Sequence, residues 1–268
     1  MTHADGHFAI GKTHTVCQDY VRCGKTVEGK SYVIVSDGCS SSPDTDIGAR
    51  LLVLAAETTI RSSSDQINFN QIINIARDDQ SRMGLVPNVL DATLLIAIET
   101  EHTILVWAMG DGVLAAKKHD GTIEYARINF TMGAPFYPNY LSDIQRWKAY
   151  TGIKDNQMVV ARGLLDGTET EQAQPTANYD YNSFFAVFPK REYALVVLMT
   201  DGAMSFRKGF EAVSPNEVVR QIVDVKVPTG EFMVRRAKRF LGKHCQDQSW
   251  HHDDDFGVGA ISIDPPKE

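Results

Sequence analysis

The chain has 268 residues, 43% of them hydrophobic and 23% charged, which suits a single large domain with an ample core. Its formal net charge of -7 argues against a nucleic-acid-binding protein, because such proteins usually present a basic surface. The sequence has no apolar run of the roughly 18 residues that a membrane span needs, and its first residues do not resemble a signal peptide. We therefore expect a cytoplasmic protein that binds neither nucleic acid nor membrane.

The first predicted elements are a short strand at 8–10 and an apolar strand at 32–36 that ends on Asp37-Gly38. A polar loop and a helix follow, and the helix has an apolar stripe from Ile47 to Ala55. A second helix is predicted over 69–83, where Gly84 ends it.

The middle of the chain predicts a meander of antiparallel strands. Apolar strands at 94–98 and 104–109 are followed by Gly110-Asp111-Gly112, a further strand at 113–116 and a hairpin signal at 119–122. Residues 127–185 are the least regular part, and we interpret them as short strands and loops that form a flap over a site.

The last third predicts a hairpin, two helices and a final strand. The hairpin joins strands at 184–188 and 193–200. A helix over 216–223 has Ser214 as its N-cap and Glu217 to complete a capping box. A basic helix at 231–241 is interpreted as a solvated face, and the final strand covers 258–263.

Four cysteines occur, at Cys17, Cys23, Cys39 and Cys245. None belongs to a Cys-x-x-Cys pair, so neither a zinc site nor a redox motif is indicated. The low count fits a reducing compartment.

Three of the predicted strands end on Asp-Gly, at Asp37, Asp111 and Asp201. A single Asp-Gly after a strand is usually only a turn. Three of them at the ends of core strands, with the triplet 253–255 before the last strand, predict carboxylates gathered at one end of two sheets. Hard divalent cations prefer such oxygen ligands, so the pattern indicates a cation site.

The order of these pieces resembles the metal-dependent protein phosphatases of type 2C over nearly the whole chain. The residues that carry the resemblance are Gly11, His14, Gln18-Asp19, Asp37-Gly38, Asp91-Ala92-Thr93, Gly110-Asp111-Gly112, Thr200-Asp201-Gly202 and Asp254-Asp255. The resemblance implies an α+β fold in one domain over 1–268. Two antiparallel β-sheets form a central sandwich flanked by helices in four layers, α-β-β-α, and the flap subregion lies at 127–185.

The resemblance also implies two Mg²⁺ or Mn²⁺ ions. By matching positions, Asp37 bridges both ions, the Gly38 carbonyl binds the second, and Asp201 and Asp254 bind the first. Asp19 holds a metal-bound water. Asp253 and Asp255 remain alternatives to Asp254, one residue away. The implied reaction is hydrolysis of phosphoserine or phosphothreonine in a phosphoprotein substrate, by attack of the water that Asp37 and the metals activate.

The chain departs from the family pattern at three positions. His14 stands where many members have a phosphate-binding Arg, so His14 is a candidate catalytic and phosphate-binding residue, and Lys12 is a second phosphate-binding candidate. Cys39 stands where many members have a His proposed as a general acid. Ser205 stands where some members have an Asp that helps to hold a third metal, so we expect a third site at Asp111 to be weak.

Three functions stay open. The first is a monomeric phosphoprotein phosphatase, favoured because Asp19, Asp37, Asp201 and Asp254 are all present. The second is a phosphatase-like regulatory module that has lost turnover, consistent with the replacements at His14 and Cys39. The third is a metal-dependent hydrolase of small phosphoesters.

Overall fold

The computed structural model describes residues 1–62, 67–175 and 183–264. The strands are β1 (Thr2–Ala9), β2 (Tyr20–Lys25), β3 (Ser31–Ser36), β4 (Leu94–Glu99), β5 (Thr103–Met109), β6 (Gly112–Lys118), β7 (Ile123–Phe130), β8 (Gln157–Leu164), β9 (Glu169–Pro175), β10 (Ser183–Pro189), β11 (Tyr193–Met199), β12 (Phe206–Lys208), β13 (Glu211–Ala212), β14 (Trp250–His252) and β15 (Phe256–Ile263). The α-helices are α1 (Thr45–Ser62), α2 (Phe69–Arg82), α3 (Ile144–Thr151), α4 (Pro215–Val223), α5 (Phe232–Arg239) and α6 (Cys245–Gln248).

Two antiparallel sheets form the centre of the molecule. The larger has the strand order β1-β15-β11-β6-β7-β8-β9, and the smaller has the order β10-β5-β4-β3-β2. Apolar residues of both sheets, among them Val35 and Leu198, form a buried core between them. This arrangement confirms the predicted sandwich.

Helices cover the outer face of each sheet. Helices α1 and α2 pack on the smaller sheet through a second apolar cluster, and α4 and α5 pack on the larger sheet through a third. The four layers are therefore α-β-β-α, as the sequence predicts. None of the helices in the described part of the chain has the length and apolarity needed to cross a membrane.

Strand β3 shows why the core strands read as continuous apolar runs. Every residue of β3 is buried. Tyr32 and Ile34 face the helical cluster, whereas Val33 and Val35 face the core between the sheets. Because successive side chains of a strand point to opposite faces, a strand covered on both sides needs apolar residues at each position.

Helix α5 begins against the first strand of the chain. The buried carboxylate of Asp5 accepts hydrogen bonds from the backbone N–H groups of Met233 and Val234, at 2.6 Å and 3.0 Å. An acid at a helix N-terminus satisfies free donors and complements the helix dipole. Arg235, Lys238 and Arg239 of α5 are exposed, as the predicted solvated face requires, whereas Arg236 is largely buried and donates to the Gln221 carbonyl.

Two predicted strand connections are wrong. Strands β10 and β11 do not form a hairpin, because β10 pairs with β5 in the smaller sheet and β11 pairs with β6 and β15 in the larger one. The predicted meander is likewise interrupted, because the chain leaves the smaller sheet after β5 and enters the larger one at β6. Gly110 and Gly112 have φ angles of +97° and +146°, a conformation that favours glycine and lets the chain cross between the sheets.

Local differences are smaller. Within 127–185 the strands are confirmed, but helix α3 was not predicted, and the part of the predicted flap at 176–182 lies outside the described residues. Helix α4 begins after Ser214 as predicted. The Ser214 hydroxyl makes no capping hydrogen bond within the described ranges, because its backbone carbonyl accepts the Glu217 N–H at 2.9 Å instead. A small three-stranded sheet, β13-β12-β14, was also missed.

Candidate metal site

The predicted acids come from loops at one end of the sandwich. Asp37 follows β3, Asp111 lies in the crossing from β5 to β6, Asp201 follows β11, and Asp254 precedes β15. Strand β3 belongs to the smaller sheet, whereas β11 and β15 belong to the larger one. The site therefore spans the sandwich.

Threonines fix two of these loops. The Asp37 N–H donates to the Thr93 hydroxyl at 3.0 Å, and the Thr93 N–H donates to the Asp37 carbonyl at 2.8 Å. The Thr200 hydroxyl donates to Asp19 Oδ2 at 2.7 Å and accepts the Gly257 N–H at 2.9 Å. The backbone at Asp37 and the side chain of Asp19 are therefore held by neighbouring strands.

The electrostatics show that the acids are crowded. The pKa of Asp37 is raised well above its usual range, mainly because the carboxyl is buried. The charges of nearby acids add to this effect, in the order Asp201, Asp19, Asp111 and Asp254. Burial, then the charges of Asp201 and Asp254, raises the pKa of Asp111 to about 8. Several carboxylates in one poorly hydrated place repel one another, and a bound cation would offset this repulsion.

Asp201 and Asp19 show the same effect. Burial and then the charge of Asp254 raise the pKa of Asp201 to about 6. Burial raises the pKa of Asp19 well above its usual range, although the hydrogen bond from Thr200 opposes this change. Each acid is thus influenced by at least one other member of the cluster.

Asp19 has one oxygen that the protein leaves without a partner. Its side chain is almost completely buried, and Oδ1 makes no hydrogen bond to any described residue. A buried carboxylate oxygen is costly unless it is paired, so a ligand at this atom is expected.

The three acids of the triplet have different surroundings. Asp255 accepts hydrogen bonds from the backbone N–H groups of Gly11 and Gln18, at 2.7 Å and 2.5 Å. Asp253 pairs with Arg207 at 2.7 Å. The charge of Asp254 raises the pKa values of Asp111 and Asp201, and the charge of Asp255 raises the pKa of Asp19. These surroundings favour Asp254 as the member of the triplet that belongs to the cluster.

Close backbone packing holds Asp201 beside the triplet. A Cβ atom on Gly202 would lie 1.7 Å from the carbonyl oxygen of Asp255, so only glycine fits there. The Ser205 hydroxyl donates to the Gly202 carbonyl at 2.9 Å and accepts the Asp254 N–H at 3.3 Å. Ser205 therefore joins two loops of the site.

His14 contacts two acids. Its Nδ1 lies 2.9 Å from Asp255 Oδ2, and its Nε2 lies 3.3 Å from Asp254 Oδ1. A phosphate contact by His14 would compete with these contacts. Lys12 donates its backbone N–H to the His252 carbonyl at 2.9 Å, and its side chain lines a neighbouring cavity.

A buried ion pair beside the site was missed by the sequence analysis. Arg146 of α3 donates from both terminal nitrogens to Asp91, each at 2.7 Å. Asp91 also accepts from Asn139 and from the Ser42 hydroxyl, both at 3.0 Å. This network, which we call the Asp91 network, joins the loop after Gly38 to the 138–146 region.

The residues present fit a divalent cation by their chemistry. In the described part of the chain, no three His, Cys, Asp or Glu side chains already form a complete metal-ligand arrangement. The cluster nevertheless supplies crowded carboxylates and one buried oxygen without a partner, and Mg²⁺ and Mn²⁺ prefer oxygen donors of this kind.

Comparison with known proteins gives a family and a fold. The sequence profile of the family described as Protein phosphatase 2C matches residues 10–231. A search of curated protein sequences finds no match.

Several solved structures have a similar fold. A crystal structure of a bacterial serine phosphatase is 12% identical, with a TM-score of 0.61 over 100% of both chains. The serine/threonine phosphatase Stp1 from Staphylococcus aureus is 11% identical, with a TM-score of 0.60 over 98% of this chain and 96% of that one. The serine/threonine phosphatase PstP/Ppp from Mycobacterium tuberculosis is 11% identical, with a TM-score of 0.55 over 98% and 99%.

Proposed function

Because the chain belongs to the protein phosphatase 2C family, we propose that it is a metal-dependent phosphatase acting on phosphoserine and phosphothreonine in proteins. The observation that carries the proposal is the crowding of Asp19, Asp37, Asp111, Asp201 and Asp254 at one end of the sandwich. Such an arrangement is unfavourable for an empty protein and favourable for one that binds cations.

Two Mg²⁺ or Mn²⁺ ions would be held by Asp37, the Gly38 carbonyl, Asp201 and Asp254. Asp19 would contribute to the same centre, and Asp111 would serve a weaker third site. When bound, the ions would supply Lewis-acid stabilisation of the phosphoryl oxygens and lower the pKa of water.

The chain's own residues position these ligands. Thr200 fixes one oxygen of Asp19 and leaves the other free, and Thr93 holds the backbone of Asp37. Ser205 holds the backbone of Asp254, while His14 lies between Asp254 and Asp255. We assign His14 the role of orienting Asp254, with phosphate contact as its second role.

Cys17 is not a candidate nucleophile. Burial, followed by the charges of Asp255 and Asp19, raises the pKa of Cys17 to about 12, so this thiol stays protonated at neutral pH. Direct attack of water on the phosphoryl group is the mechanism consistent with a site built from carboxylates.

The test is phosphate release from a phosphothreonine peptide with Mn²⁺, with EDTA, and with Asp37→Asn. Asp120→Asn is a matched control, because Asp120-Gly121 is an exposed turn in which Asp120 accepts the Thr122 N–H at 2.8 Å. We expect turnover that is lost with EDTA and in Asp37→Asn but retained in Asp120→Asn.

The alternatives give different results in the same assay. Turnover of p-nitrophenyl phosphate without turnover of phosphopeptides would indicate a small-phosphoester hydrolase. Metal binding without turnover of either would indicate a regulatory module. In that case the His14 contacts with Asp254 and Asp255 would be the first cause to examine.

A further inference from the structure

A cavity opens beside Asp253, next to the acid cluster. Its volume is about 430 Å³. We call it the Phe210 cavity, and it is lined by Lys12, Arg207, Gly209, Phe210, His251 and Asp253.

Phe210 is fully exposed to solvent. It lies in the turn between β12 and β13, next to Gly209, whose φ angle is +62°. No residue in the described ranges covers its ring. An aromatic ring that remains wholly exposed in the folded chain is a natural contact for a partner's apolar side chain.

The turn that carries Phe210 is firmly supported. Phe206, at the start of β12, is completely buried and contacts the rings of Phe240 and Phe256 with centroid distances of 5.1 Å and 5.5 Å. Strand β12 also pairs with β13 and β14. Because the support is ordered, binding at Phe210 would cost little conformational entropy.

The charges around the cavity favour an acidic partner. Asp253 is already paired, with Arg207 Nε at 2.7 Å and His251 Nε2 at 3.3 Å. The Lys12 ammonium group has no hydrogen-bond or ion-pair partner among the described residues. In a chain with a net charge of -7, an unpaired cation beside a paired acid is a local site for a carboxylate.

The segments that line the cavity also lead into the acid cluster. The Lys12 N–H donates to the His252 carbonyl at 2.9 Å, and the Thr13 N–H donates to the Asp253 carbonyl at 3.1 Å. Gly11, which precedes Lys12, donates its N–H to Asp255 at 2.7 Å, and Asp254 directly follows Asp253. A substrate chain in extended conformation advances about 3.3 Å per residue, so residues close to the phosphorylated one are those that would lie at the cavity.

We propose that the Phe210 cavity binds the substrate segment that flanks the phosphorylated residue. An apolar substrate side chain packs on Phe210, and an acidic side chain pairs with Lys12. The proposal rests on the proposed function and assigns its substrate class, phosphoproteins with an acidic and an apolar residue near the phosphorylation site. It also gives Lys12 a role in docking rather than in direct phosphate contact.

The primary test measures binding, so that it does not depend on turnover. For binding, each fluorescently labelled peptide carries threonine in place of phosphothreonine, and it is titrated with the protein in Mn²⁺ and followed by anisotropy. A peptide with Asp and Leu flanks is compared with one that has Lys and Ser at the same positions, with the flanks moved through several registers. We expect the acidic and apolar peptide to bind about tenfold more tightly.

Phe210→Ser should remove most of this preference, whereas Phe185→Ser should keep it. Phe185 is a matched control, because it is half exposed on β10 and does not line the cavity. With Mn²⁺, Phe210→Ser should raise KM for the acidic and apolar peptide, with kcat for that peptide and turnover of p-nitrophenyl phosphate unchanged. Thermal unfolding of both variants checks that they fold.

Two results would overturn the proposal: equal affinities for the two peptides in every register, or a preference that survives Phe210→Ser. Lys12→Gln separates the two roles of Lys12, because loss confined to the acidic peptide supports docking and equal loss with p-nitrophenyl phosphate indicates phosphate contact. Peptide preference without any turnover would instead refute the proposed function and leave docking established.

Discussion

The buried carboxylate of Asp91 and those of the acid cluster differ in how many hydrogen-bond donors the protein supplies to them. In the Asp91 network, one acid receives two hydrogen bonds from Arg146, one from Asn139 and one from Ser42. In the acid cluster, Asp19 has one oxygen without a partner and the neighbouring groups are mostly other acids. A structural carboxylate is satisfied by the protein itself, whereas a functional one is left for a ligand to satisfy. Four predictions test this difference.

The largest effect is expected for Asp37→Asn. We expect the rate of phosphate release to fall at least about a hundredfold, as when a central electrostatic group is removed from an active site. In EDTA the same variant should unfold at a temperature no lower than that of the unchanged protein, because it removes one of several repelling charges. Activity assays and calorimetry measure the two quantities. A large loss of stability would show that Asp37 is structural, like Asp91.

Arg146→Gln should have the opposite profile, with its main effect on stability. Asp91 would stay buried with half of its donors lost, so we expect the free energy of unfolding to fall by about 3 kcal/mol. Arg220→Gln is the control, because its ion pair with Asp166 at 2.6 Å is exposed and should contribute less than about 1 kcal/mol. Urea denaturation of both variants measures the difference. Equal losses of unfolding free energy in the two variants would contradict the claim that Arg146 stabilises the buried Asp91.

Metal should stabilise only through the acid cluster. At a Mn²⁺ concentration about a hundred times its Kd, we expect about 2.7 kcal/mol of added stability. Asp120→Asn should keep this gain and Asp37→Asn should lose most of it. Unfolding with and without Mn²⁺ gives the comparison. The same gain in both variants would place the ion elsewhere.

The smallest effect concerns Glu99, a second satisfied acid. It accepts hydrogen bonds from the Ser31 N–H at 2.9 Å, from the Thr2 hydroxyl and from Lys190 at 3.0 Å. Burial raises the pKa of Glu99, but these hydrogen bonds outweigh burial and lower the pKa below its usual value. Its stabilisation is therefore present above the unfolded pKa and is lost as the pH falls through the lower, folded pKa.

Lys190→Met should accordingly reduce stability by about 1–2 kcal/mol at pH 7 and by less at pH 3. Urea denaturation at the two pH values measures this change. If the loss of unfolding free energy in Lys190→Met were larger at pH 3 than at pH 7, the pKa of Glu99 would not be lowered by folding.

The sequence predicted the parts that depend on local patterns. Buried runs ending on Asp-Gly correctly indicated core strands, and the acids meet at one end of the sandwich as expected. Strand β3 is covered on both faces and β11 nearly so, whereas β5 is only half-buried at Leu105 and Trp107. Pairing between distant segments could not be predicted. Thr200 and Asp19 lie 181 positions apart, and Arg146 and Asp91 lie 55 apart, so no local signal connects them. The same reason explains the wrong hairpin at β10 and β11, whose short connection looks like a turn but crosses between sheets.

The crossing of the chain between the sheets at Asp111 has a consequence for how metal affinity depends on sheet packing. The acids are contributed by both sheets, so their spacing depends on how one sheet lies on the other. A slip of one residue along a strand moves a side chain by about 3.3 Å, more than a metal-ligand bond tolerates. Mutations that loosen the core between the sheets should weaken Mn²⁺ affinity while the chain is still folded. Affinity for the ion would then report how accurately one sheet is aligned on the other.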